Sequence, residues 1–252
     1  MDTRFFADWL DEAARLVRRD RERLTELDAA IGDADHGANL DRGFTEVARA
    51  LADRPPGSPG QVLIDAGTAL IRRVGGASGP LYGSMFRQMG RTLESPVTLA
   101  RFEAAFEEGV VALERLGKAA VGDKTMVDAL VPASRSLALA VRDGIGALEA
   151  FERAADAAAE GARETIPLQA RKGRASYLGE RSVGHEDPGA ASAALIMRAL
   201  ATTARNRAEG RDQAEGQVPA EGREQAAGRE QAGQVPAEGR TSSAEGQGRA
   251  EG

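Results

Sequence analysis

Apolar positions recur along this chain every three and four residues, the pattern of one face of an α-helix. The first stripe runs through Phe6, Trp9, Leu10, Ala13, Leu16, Val17, Leu24 and Leu27 and predicts a helix over residues 3–27. Leu40, Val47 and Leu51 mark a second helix, which starts near Asn39 and is ended by Pro55-Pro56-Gly57. A third covers residues 61–74, with Leu63, Leu70, Ile71 and Val74 expected in the core. Glycines 75, 76 and 79 then break the chain, and Pro80 suits the first turn of a helix reaching Thr92. Further helices are predicted over residues 99–116, 125–140, 145–163 and 188–205. No stretch alternates apolar and polar residues as a half-buried strand does. The expected class is all-α, a bundle or barrel of about eight antiparallel helices.

Two segments fall outside this pattern. Residues 170–189 are polar and punctuated by glycine, and a connection of that length is usually functional or disordered. From residue 208 onward Glu, Gly, Gln, Ala and Arg dominate, and GQVPAEGR occurs at residues 216–223 and again at 233–240. That repeat offers almost nothing apolar to bury beyond Val218 and Val235, so residues 208–252 are expected to be a disordered tail on a domain of residues 1–207.

Composition narrows the function classes. Aromatic residues make up 4% of the chain, and Ala, Leu and Arg are abundant, which agrees with helix. A net charge of −6 argues against a general DNA or RNA binder. No apolar run approaches the ~20 residues that cross a bilayer. The N-terminal MDTRFFADWLDEAARLVRR has acids scattered through it, unlike a signal peptide. A cytoplasmic protein with no membrane contact is expected. Without cysteine there is no disulfide, thiolate zinc site or cysteine nucleophile.

Candidate chemistry is concentrated in four turns. Ile31-Gly32-Asp33-Ala34-Asp35-His36-Gly37-Ala38-Asn39 crowds two carboxylates beside a third, Asp28. Such acids mark either a solvated loop or an oxygen-ligand site for Mg²⁺ or Ca²⁺. The register is not that of an EF-hand. His36 to Asn39 lead straight into a helix, so free backbone N–H groups there can face an anion. Gly75-Gly76-Ala77-Ser78-Gly79 does the same before the next helix, unless it is only a tight turn. Gly122-Asp123-Lys124-Thr125-Met126 is a third such turn. Ala170-Arg171-Lys172-Gly173-Arg174 and Asp187-Pro188-Gly189 bracket the long connection, the first supplying cations that suit phosphate. Four glycine-bearing, helix-starting loops suggest one end of a bundle, suited to a phosphate-bearing ligand with Mg²⁺. There is no Walker A sequence, no serine elbow and only two histidines. His185 is expected to be structural.

The stretches LDAAIGDADHGANLDRGF, GGASGPLYGSMF, GDKTMVDALVPA and QARKGRASYLGERSVGHEDPGA, spread over residues 27–190, together resemble the nucleotide-binding L subunit of dihydroxyacetone kinases. The resemblance implies a barrel of eight antiparallel helices with the nucleotide at one end. It implies that Asp28, Asp33 and Asp35 bind two Mg²⁺ ions bridging the phosphates of ADP or ATP. His36, Gly37, Ala38 and Asn39, with Ala77 and Ser78, fall at nucleotide-contacting positions. Gly117 and Met126 fall near the base, and Asp187, Pro188 and Gly189 complete the site with Arg174, the candidate catalytic cation. It further implies a separate K-type subunit that holds dihydroxyacetone. In phosphotransferase-system versions an M-type subunit rephosphorylates bound ADP in place. A homodimer stays open.

Other readings remain at this stage. The related fatty-acid kinase nucleotide domain also has an acidic loop, with Thr expected where this chain has His36. The substrate can be another hydroxyketone, such as a tetrulose. A nucleotide-sensing module docking on a transcription factor is the rival from a different class.

Overall fold

The computed structural model describes the backbone of residues 1–216 and the side chains of residues 1–210. The disorder predicted for the tail falls outside the described residues from 217 on. Among the described residues there is no strand. The helices are α1 (Thr3–Arg19), α2 (Arg21–Ile31), α3 (His36–Asp53), α4 (Pro59–Arg73), α5 (Ser78–Thr92), α6 (Leu99–Gly117), α7 (Val127–Arg142), α8 (Ala147–Glu164) and α9 (Pro188–Gly216). A 3-10 segment, Arg174–Ser182, occupies part of the long polar connection. Met1–Glu209 forms one compact unit.

The helix expected over residues 3–27 is in fact two. The chain turns at Asp20 (φ −97°, ψ 10°), and α2 restarts on a new register in which Leu24, Asp28 and Ile31 point inward. Continuing the α1 stripe would have buried Leu27 instead, which is only half-buried. The break thus turns Asp28 to the inside. Ile71 also departs from expectation and is 39% exposed. It lies flat over Gly83, where an added Cβ would meet Ile71 Cγ1 at 2.4 Å, and leaves its outer edge in water.

From α3 to α8 each helix packs on the next in the chain, and α1 packs on α3 and α4. Phe5 of α1 stacks on Phe151 of α8 with ring centroids 6.0 Å apart. The α4–α5 contact is backbone to backbone: a Cβ on Gly67 would lie 2.6 Å from the Gly83 carbonyl oxygen. Trp9 anchors the aromatic core, edge-on to Phe86 and Phe102, and its indole N–H donates to the Ile196 carbonyl at 3.0 Å. That partner belongs to α9, whose residues 188–201 are buried apart from half-buried Ala194 and Arg198. A helix apolar on nearly every side belongs inside a bundle. Arg198 and Arg205 pair with Asp156 and Glu152 of α8 along its outer line.

Where successive helices run antiparallel, alternate connections gather at one end. The turns entering α3, α5, α7 and α9 do so here, and they are the four stretches that carry the candidate chemistry. No helix of the described residues is long and apolar enough to cross a membrane.

Candidate functional site

These four turns surround a cavity of about 490 Å³. Its polar floor is the acidic loop. Asp28, Asp33 and Asp35 each offer a carboxylate oxygen, and these oxygens all lie within 4.8 Å of one another. Asp28 is buried and the other two are exposed. One Asp28 oxygen accepts the backbone N–H groups of Asp35 (2.8 Å) and His36 (3.0 Å), which fixes the loop around it. Ala34 is held at φ +62°, a conformation a side chain rarely adopts. Three carboxylates this close repel one another, and a cation among them relieves that repulsion. The Arg174 guanidinium supplies one charge from above, 3.1 Å from Asp33. Oxygen-only donors in one small volume also fit a hard divalent ion such as Mg²⁺.

Two helix starts at the cavity, those of α3 and α5, differ from two at the far end. There, Ser58 and Thr98 cap α4 and α6 by accepting a backbone N–H in the first turn. At the cavity, the residues preceding α3 and α5 (Asp35 and Ala77) make no side-chain cap bond. Apart from the His36 N–H, which Asp28 holds, those first-turn N–H groups and the positive ends of the helix dipoles are therefore available to an anion. The opposite wall is apolar: Leu81, Leu113, Leu116 and Met126 line it, and Leu116 is 52% exposed.

His36 ties three helices together. Its Nδ1 meets Ser78 Oγ at 3.2 Å and its Nε2 meets Ser192 Oγ at 3.0 Å. Ser192 in turn contacts the buried Tyr82 hydroxyl at 2.7 Å. Burial pushes the His36 pKa below its ordinary value, against the pull of Asp28 and Asp35. With both ring nitrogens engaged, this histidine braces the starts of α3, α5 and α9.

Two further buried charges stand behind the α7 and α9 turns. Asp128 accepts the N–H groups of Gly122 (2.6 Å) and Thr125 (2.7 Å). Asp187 caps α9 by accepting the Ala190 N–H at 2.7 Å. Burial pushes the Asp187 carboxyl up to about 7; the Asp128 charge adds to this, and the Ala190 N–H and Lys124 oppose it.

Of the residues singled out in the sequence, Asp28, Asp33, Asp35, His36, Asn39, Ala77, Ser78, Gly117, Met126, Arg174, Asp187, Pro188 and Gly189 all line this cavity. Gly37 and Ala38 are not among the lining residues. Gly37 faces α2, where a Cβ would lie 2.1 Å from the Arg21 carbonyl oxygen, so its smallness serves helix contact. Sequence reasoning placed Lys124 and Lys172 only within candidate stretches, though both line the cavity, and missed the wall formed by Leu81, Leu113 and Leu116. The cationic stretch and the GDKTM turn pointed to the lysines. Nothing in the helix periodicity separates a leucine facing a cavity from one facing the core.

A family model described as the DAK2 domain matches residues 30–202. The ADP-binding subunit of the PEP-dependent dihydroxyacetone kinase of Escherichia coli (strain K12) is 42% identical over 200 residues, covering 79% of this chain and 95% of that protein. The D-erythrulose kinase of Mycolicibacterium smegmatis (strain ATCC 700084 / mc(2)155) is 38% identical over 206 residues, but the chain spans only 35% of its length. Among solved structures, the dihydroxyacetone kinase of C. freundii in complex with AMP-PNP and Mg²⁺ superposes with a TM-score of 0.62 at 28% identity. The match covers 78% of this chain and 33% of that one.

Proposed function

The chain belongs to the DAK2 domain family, and on that premise we propose that it is the nucleotide-binding subunit of a dihydroxyacetone kinase. In this reading it transfers a phosphoryl group from Mg²⁺-bound nucleotide to dihydroxyacetone held on a separate K-type subunit. It acts in the cytoplasm and is active only with that partner. The observation that carries the reading is the convergence of three carboxylates and the starts of α3 and α5 on one cavity of about 490 Å³.

Each part has a task. Asp28, Asp33 and Asp35 hold Mg²⁺, two ions in the full site. When bound, the metal neutralises phosphate charge and the charge that develops on the transferred group. Backbone N–H groups at the starts of α3 and α5 donate to phosphate oxygens. Arg174, already beside Asp33, adds a cation at the rim. The wall of Leu81, Leu113, Leu116 and Met126 receives the apolar face of the base. His36 and Asp187 keep the helix starts in place.

The E. coli relative is a PEP-dependent, ADP-binding subunit, which favours a resident ADP rephosphorylated in place by an M-type phosphotransferase-system subunit. A second hydroxyketone, D-erythrulose, is favoured by the M. smegmatis relative. The K-type partner would decide between them. The test is to purify the chain with Mg²⁺ present, denature it and identify released nucleotide by chromatography. Stoichiometric ADP supports the resident-cofactor reading. An empty chain that binds ATP weakly and reversibly would replace it with an ATP-exchanging subunit.

A further inference from the structure

Lys124 lines the cavity, yet the nucleotide reading gives it no task. It stands in the left-handed backbone region at φ +63°, where glycine is the usual occupant. It is 1% exposed, which is rare for a lysine. Its ammonium is bonded entirely by backbone: the carbonyl oxygens of His185 at 2.6 Å, Thr165 at 2.8 Å and Leu168 at 3.0 Å, with Ile166 at 3.5 Å. An ammonium has three N–H donors and no acceptor, so the three short bonds satisfy it. Burial pushes its pKa down, while Asp187 and Asp128 favour the charged form.

The positions of those carbonyls give the arrangement its meaning. Thr165 and Leu168 stand where the chain leaves α8, and His185 stands just before it enters α9. The neck is also joined by Gly184 N–H to the Ile166 carbonyl (2.8 Å) and Asp187 N–H to Thr165 Oγ1 (2.9 Å). Between these points the chain makes a compact excursion with its ends together, an Ω-loop. That loop carries Lys172, Gly173, Arg174 and Ala175 to the cavity. Its own apolar support is slight: Ala170, Ala175 and Leu178 against Ile31. Beyond the neck it is held by the Arg171 N–H bond to the Asp123 carbonyl (3.1 Å), the Ala170 N–H bond to Ser182 Oγ (2.9 Å) and the Arg174–Asp33 pair.

We propose that Lys124 is a positioning residue, a tethered cation in a cage of backbone carbonyls that clasps the loop neck and holds Arg174 and the Asp187-Pro188-Gly189 turn at the cavity. The part of this that concerns nucleotide rests on the function proposed above; the clasp itself does not. Glycine suits φ +63°, so Lys124→Gly removes the ammonium without new backbone strain. Lys124→Met keeps most of the stem and removes the charge.

The test is amide hydrogen exchange on the full chain, with ADP dissociation measured in parallel. In both variants, amides of residues 165–187 should exchange at least about tenfold faster, the order expected for losing charge-assisted hydrogen bonds. The core of α4, α5 and α6 should be unchanged, and ADP should leave faster by a similar factor. In Lys124→Gly, n-butylammonium should restore loop protection saturably, and n-butanol should not. Unchanged loop exchange would overturn the proposal. So would equal rescue by butanol, which would assign the effect to the stem, or uniform loosening of all helices in both variants. Because exchange is read without ligand, loop opening in a chain that binds no ADP would contradict the proposed function and leave the clasp standing.

Discussion

Single residues at this site are placed by bonds that the sequence does not display. The cluster of Asp33 and Asp35 is plain in IGDADHG, but the inward turn of Asp28 depends on the break at Asp20, which no proline or glycine announces. His36 suggested a ligand contact, and the two serines that occupy its ring nitrogens come from residues 78 and 192. Lys124 was legible only as part of a turn, because its carbonyl partners are 41 to 61 positions away. Asp187 gives a prediction at this scale. Its native pKa of about 7 lies above the ordinary 3.8, so between these values the folded state holds a proton that the unfolded state releases. Stability from this group is therefore complete below pH ~4 and declines as pH rises to about 7. Asp187→Asn keeps a capping oxygen and removes the titration. The variant's stability should gain on the parent by roughly 1.4 kcal/mol per pH unit across that window. Urea denaturation at several pH values reads this directly; parallel curves would contradict the assignment.

At the scale of elements, periodicity located the helices well because each one has a buried face, and most predicted ends lie within a few residues of the observed ones. It failed where a second helix restarts on a new register, at α1 and α2, and where Ile71 rests over Gly83 with its outer edge in water. The α4–α5 seam depends on the absence of side chains. Gly67→Ala would push a methyl against the Gly83 carbonyl at 2.6 Å, so it should destabilise the chain by about 1–3 kcal/mol. Thermal unfolding measures this, and an unchanged midpoint would mean that the helices separate freely. The two ends of the bundle should respond differently to loss of a cap. Ser58→Ala should lower stability by about 1 kcal/mol and leave nucleotide affinity untouched. A change in affinity would mean that the far end is coupled to the cavity.

For the whole molecule, the sequence suggested the arrangement of the site because alternate turns of an antiparallel bundle fall together, and those turns stood out from the helices around them. What it could not give was the volume they enclose or the apolar wall opposite the acids, since both depend on how far apart the helices pack. The central claim is that this end of the bundle binds nucleotide through a divalent ion held by Asp28, Asp33 and Asp35. The most direct measurement is calorimetric titration of nucleotide-free protein with ADP, with Mg²⁺ and again with the metal chelated, for the parent chain and for Asp33→Asn. The account predicts tight binding only for the parent with Mg²⁺, and a loss of at least about tenfold in Asp33→Asn, of the order of one charge-assisted interaction, with helicity unchanged. ADP affinity that is indifferent both to chelation and to Asp33→Asn would contradict it.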